Sequence, residues 1–264
     1  MKLRSLLCVA SMTFTLIAPS SFVRAQAPAA EASQAQAAQA QAASQGKFGF
    51  LVFYREDDDA TRAMAKAVTD LAAQRPDTVL PIFVQVTNPA EAAIVRQFNV
   101  ERAPMPLAIA TAPNGAITGA FPQRVTADQL AGSFVTPAMS HCMKSMQQGR
   151  LVFLCVQTTP QAVVPQGVNE FLADPQYVGR GDVVTVQAGD PAEAQLLQEL
   201  AVNPTDPNGT NTVFFAPPGV LVGKFTSVSG KGEIAAALHK AGKCCDDPNC
   251  KHGHAQQPKP GAVR

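Results

Sequence analysis

Asn88-Pro89-Ala90-Glu91-Ala92 recurs as Asp190-Pro191-Ala192-Glu193-Ala194, 102 positions further on. Val84-Gln85 precedes the first copy and Val186-Gln187 the second. Apolar residues at helical spacing follow each: Ile94, Val95 and Phe98, then Leu196, Leu197 and Leu200. Leu51-Val52-Phe53 likewise recurs as Leu151-Val152-Phe153, offset by 100. A spacing of this size is that of a domain, well beyond the roughly 20–50 residues of a solenoid repeat. One fold is used twice.

Working outward from the first copy, Phe48 to Tyr54 is a near-continuous apolar run, as expected of a central strand buried on both faces. Thr61 to Gln74 then places Met64, Val68 and Leu71 on one helical face. Ile82 to Val86 reads as a second strand. Asn88 caps the helix that follows, Pro89 takes its first position, and Glu91 is expected to complete a capping box. Pro106 to Thr111 is a third strand, and Asn114-Gly115 turns it back into Ala116 to Phe121. Thr126 and Gln129 cap a last helix carrying Leu130 and Phe134. The order is β-α-β-α-β-β-α. The second copy repeats it: Arg150 to Gln157, helix from Gly167 to Leu172, Asp182 to Ala188, a helix opened by Asp190-Pro191, Thr212 to Ala216, Val220 to Phe225, and Glu233 to Lys240.

That order resembles the thioredoxin-like fold. The resemblance is carried by Val86-Thr87-Asn88-Pro89, the short helix to Phe98-Asn99-Val100, Ala103-Pro104, and Pro113-Asn114-Gly115. It implies an α/β protein of two consecutive thioredoxin-like domains, each a central mixed sheet flanked by helices. It also implies a cis-proline before the third strand: Pro104 matches that position, with Pro106 as the competing candidate. Thioredoxin-type chemistry needs C-x-x-C at the start of the first helix, where the helix dipole lowers a thiol pKa. The matching positions hold Asp59-Ala60-Thr61-Arg62 and, in the second copy, Thr159-Pro160-Gln161-Ala162; no C-x-x-C occurs anywhere in the chain. Asp57, Asp58 and Asp59 suit the positive end of the helix they precede.

The chain's beginning reads as a secretory signal over residues 1–25: Lys2 and Arg4, an apolar Leu6–Ala18, then Val23-Arg24-Ala25 as the cleavage sequence. An exported protein, periplasmic or extracellular, is expected, with no other apolar run long enough for stable membrane insertion. Removing Lys2, Arg4 and Arg24 leaves 18 basic against 20 acidic residues. Nothing basic clusters on one segment, which argues against a nucleic-acid partner. Residues 26–46, rich in Ala and Gln, are expected to form a disordered linker, because small and polar side chains bury too little surface to offset ordering entropy. The first domain is then expected over 47–136, a connector over 137–149, the second domain over 150–242, and a tail over 243–264.

The five cysteines beyond the signal are Cys142, Cys155, Cys244, Cys245 and Cys250. Cys155 lies mid-strand and reads as a small buried hydrophobe. The tail, Cys244-Cys245-Asp246-Asp247-Pro248-Asn249-Cys250-Lys251-His252-Gly253-His254, gathers three thiols and two imidazoles in eleven residues. Cys244, Cys245, Cys250, His252 and His254 are therefore candidate ligands for zinc or copper. An exported location equally favours disulfides among them or to Cys142. A second group, Met139, His141, Cys142 and Met143, lies in the connector; with Met146 it offers soft donors suited to Cu⁺, while methionines at helical spacing also serve as core packing. These features point to a non-redox thioredoxin-like binding or scaffold protein with a protein or soft-metal partner, and more to a non-enzyme than to an enzyme. Two alternatives stand beside it: an oxidoreductase using Cys244, Cys245 or Cys142, and a structural protein whose tail is stapled by a disulfide.

Overall fold

The computed structural model describes residues 33–159, 163–202 and 211–242. The signal segment 1–25 and the tail 243–264 lie outside them. The first unit comprises α1 (Gln34–Ser44), β1 (Phe48–Tyr54), α2 (Asp59–Gln74), β2 (Val79–Gln85), α3 (Ala92–Phe98), β3 (Leu107–Thr111), β4 (Ile117–Pro122) and α4 (Ala127–Ala131). The second comprises α5 (Pro137–Gln147), β5 (Leu151–Gln157), α6 (Gln166–Ala173), β6 (Gly181–Gln187), α7 (Ala194–Glu199), β7 (Thr212–Ala216), β8 (Val220–Phe225) and α8 (Lys231–Gly242). The strands form two four-stranded sheets, ordered β2-β1-β3-β4 and β6-β5-β7-β8. In each, the first pairing is parallel and the other two antiparallel. Leu51 sits opposite Ile82 on one side and Ile109 on the other, as Leu154 sits opposite Val184 and Val213.

Successive strand residues face opposite sides, so each sheet carries two cores. Leu51 and Phe53 pack with Ile82, Ile94 and Ile109 under α1 and α3. Phe50 and Val52 pack with Met64, Val68 and Leu130 under α2 and α4. Unit 2 repeats the arrangement, with Val152 and Leu154 beneath α5 and α7 and Phe153 beneath α6 and α8. Phe153 stacks on Phe214 at 4.2 Å between ring centroids. Gly167 on α6 is required by close approach: a Cβ there would stand 2.1 Å from the Ser229 carbonyl oxygen.

Two expected boundaries change. The Ala/Gln-rich stretch assigned to a disordered linker over 26–46 becomes α1 from Gln34, so the first domain begins well before residue 47. Ala35 and Ala42 are buried against the sheet. Alanine and glutamine favour helix, and the sheet supplies the large apolar side chains that α1 lacks. The expected connector over 137–149 is likewise α5, the first helix of the second unit. Among the described residues, no helix is long and apolar enough to cross a membrane.

The repeated glutamates explain how the first helices are held. Asn88 and Asp190 do cap, accepting from the N–H groups of Ala90 and Ala192. Glu91, however, does not close a capping box with its own helix. It is buried, and its carboxylate accepts hydrogen bonds from the Ser33 hydroxyl and the Ala35 N–H, at the start of α1. Glu193 does the same for α5, accepting from the Ala138 N–H at 2.8 Å. A helix N-terminus has unsatisfied N–H groups and a positive dipole end. In both units that demand is met by a carboxylate from the short turn after the second strand.

Candidate functional site

The end of unit 1 where β1 meets α2 is built from a charged loop. Asp58 caps α2, its side chain accepting from the Thr61 N–H at 2.8 Å. That bond holds the Asp58 carboxyl below the usual range. Arg62 reaches back to Asp59 at 2.6 Å and to Asp57 at 3.4 Å; the Asp59 bond raises its pKa. The three adjacent aspartates therefore serve the helix end and one guanidinium.

Across from this loop, Arg55 donates to the Glu101 carbonyl at 2.7 Å. Asn99, Glu101, Arg102 and Ala103 line a cavity of about 530 Å³ beside it. The cis peptide bond before β3 is Met105–Pro106. Pro104, the cis-proline expected from the resemblance, is therefore corrected to the competing candidate Pro106. The proline adjoining the strand takes the position, and the Pro106 carbonyl accepts from the Gln123 N–H at 2.6 Å. In unit 2 a cis bond lies elsewhere, at Pro217–Pro218 in the turn between β7 and β8. Of the expected second motif position, Pro160, Gln161 and Ala162 fall outside the described residues.

The two described cysteines are free and lie on opposite faces of the second sheet. Cys142, on α5, is fully buried among Val152, Leu154 and Val213. Burial, with the charge of Glu193 adding to it, pushes its thiol up to about 12. Cys155 is buried beside Phe153 and Phe171, and burial pushes it up to about 11, against the Thr212 hydroxyl 3.8 Å away.

The group Met139, His141, Cys142 and Met143 is divided by the helix. His141 is exposed and Cys142 faces the core. Met139 and Met143 instead join Met146 along one side of α5, where the three line a cavity with Phe215 and Pro218. Among the described residues, no group of three or more His, Cys, Asp or Glu side chains could hold a metal ion. Cys244, Cys245, Cys250, His252 and His254 lie outside those residues. The sequence reading missed the helix-holding role of Glu91 and Glu193. The signal was present: Ser33 and Thr136, both good cap residues, stand 58 and 57 positions before the two repeated glutamates.

No protein-family model matches the chain, and no curated protein matches it. Solved structures similar to it include human ERp44, at 6% identity and a TM-score of 0.32, covering 78% of this chain and 53% of that one. Thioredoxin O2 from Arabidopsis thaliana, in the oxidized state, matches at 16% identity and a TM-score of 0.31, covering 36% of this chain and 79% of that one. The NTD_N/C domain of alkylhydroperoxide reductase AhpF from Enterococcus faecalis matches at 14% and 0.28, covering 77% and 98%. The strand order and pairing of the two sheets make this chain two thioredoxin-like units in tandem.

Proposed function

We propose that the chain is an exported, non-redox thioredoxin-like binding or scaffold protein whose Cys/His tail takes up a soft metal ion. The observation carrying this reading is at the entry to α2, where a reactive thiol would be expected and the capping carboxylate of Asp58 and the Asp59–Arg62 pair stand instead. The burial and raised pKa values of Cys142 and Cys155 support it, since a protonated, inaccessible thiol is a poor nucleophile. The tail reading rests on residue type alone: thiolates and imidazoles suit Zn²⁺ and Cu⁺.

The deciding experiment is insulin-disulfide reduction by the wild type and a Cys244→Ser, Cys245→Ser variant. Both are expected to run at background. Turnover in the wild type that the variant loses would establish the oxidoreductase alternative. Metal analysis of the reduced protein, with and without Cys244, Cys245 and Cys250, tests the tail. Peptide mapping without reduction tests the disulfide staple; burial of Cys142 favours its recovery as a free thiol.

A further inference from the structure

Each unit holds a cavity at the same place, between its first helix and the turn joining its last two strands. In unit 1 it measures about 360 Å³, and its wall includes Gln36, Ala40 and Ala43 of α1 with Ala112 and Gly115 of the turn. In unit 2 it measures about 250 Å³, and its wall includes Met139, Met143 and Met146 of α5 with Phe215 and Pro218. On the helices Met139, Met143 and Met146 stand 103 positions after Gln36, Ala40 and Ala43, and on the strand and turn Phe215 and Pro218 stand 104 positions after Thr111 and Asn114, which also line the unit 1 cavity. The cavity is one feature of the repeated fold, given two different walls.

Unit 1 shows what packing alone requires there. Alanine at 40 and 43 is enough for α1 to lie on its sheet, with Ala35 and Ala42 making the buried contacts. Methionine is a common gap-filler, yet at all three matching positions of unit 2 it replaces residues that carry no sulfur. Positions three and four apart on a helix are neighbours on one face, so the three thioethers share a wall. Thioethers are neutral, soft donors that select Cu⁺ over the harder divalent ions. No carboxylate or imidazole lines the cavity, which suits a monovalent soft cation better than Zn²⁺. Its volume is also below the roughly 300–1,000 Å³ of organic-ligand pockets. The end of α5 is fixed: Gln147 accepts from the Ile117 N–H at 3.0 Å and donates to the Ile117 carbonyl at 2.6 Å.

We infer that Met139, Met143 and Met146 form a Cu⁺ site with thioether ligands. It extends the soft-metal reading above but uses none of the tail's ligands.

The test uses the full, reduced chain with the tail ligands replaced (C244S, C245S, C250S, H252A, H254A). It is titrated anaerobically with Cu⁺ against a chromophoric Cu⁺ chelator. One Cu⁺ is expected to remain bound, with a sulfur-only shell by X-ray absorption. Adding M139L, M143L and M146L is expected to weaken it by about tenfold or more. M139L alone, at a half-buried position, is expected to weaken it in part, and serves if the triple variant fails to fold. Loss of Cu⁺ from the tail-substituted chain, undiminished binding by folded methionine variants, or equal retention of Zn²⁺ would overturn the site. If wild type and tail-substituted chain bind the same single Cu⁺, the tail reading fails and this site stands.

Discussion

Cys142 and Cys155 present two thiols to two separate cores, and their environment sets their chemistry. Both lose water on folding, and the thiolate cannot be accommodated without it. In the tail variant lacking Cys244, Cys245 and Cys250, a thiol reagent such as Ellman's at pH 8 is expected to label neither cysteine until denaturant is added; prompt labelling of the native protein would refute this. A pH dependence follows. Burial raises the folded-state pKa of Cys142 to about 12 from an ordinary 9.0. Between those values the unfolded chain has lost a proton that the folded chain keeps, so stability is complete below pH 9 and falls as pH rises toward 12. A Cys142→Ala variant is expected to show a shallower alkaline decline in urea midpoint than wild type. At the acid end the sign reverses for Asp182, which the bidentate Arg150 guanidinium, bonded at 2.6 Å to each carboxylate oxygen, holds below its ordinary pKa. That contribution is present above the unfolded pKa and lost as pH falls through the folded one, so Arg150→Ala should flatten the acid limb of the stability profile.

At the scale of elements, α1 depends on Glu91 and α5 on Glu193. Glu91→Ala leaves the Ser33 hydroxyl and the Ala35 N–H without their partner, a loss of roughly 1–3 kcal/mol. Hydrogen exchange is expected to quicken across Gln34–Ser44 in that variant, with β1 and β3 protected as before; unchanged α1 exchange would sink the assignment. Gly167→Ala should cost about 1–3 kcal/mol by overpacking, since the obstacle is the Ser229 backbone rather than a movable side chain; a urea midpoint equal to wild type would refute it. The same elements show what could be read from the chain. Strands were legible because Phe48–Tyr54 and Leu151–Gln157 are apolar on both faces, and the Thr126–Gln129 capping box was legible because its partners are three residues apart. Helix α1 was not legible. Its surface is alanine and glutamine, and its reason for being ordered, Glu91, lies 58 positions from Ser33. The cis bond was placed one proline early because two prolines flank Met105 and local sequence does not choose between them.

In the whole molecule, the turn of unit 1 meets the first helix of unit 2. Lys144 donates to the Gly115 carbonyl at 3.2 Å, and Gln147 makes its paired bonds with Ile117. Replacing both Lys144 and Gln147 by alanine is expected to resolve a single calorimetric transition into two, one for each unit; a single unchanged transition would show that these bonds do not couple them. The different walls of the two cavities also bear on how a duplicated chain reaches its native state. Adjacent, similar domains tend to misassemble by exchanging equivalent elements. If α1 docked on the second sheet, the space taken by three methionines would stay empty; if α5 docked on the first, those methionines would crowd against Ala112 and Gly115. The divergence at Met139, Met143 and Met146 would thus disfavour an exchange of first helices between the two sheets.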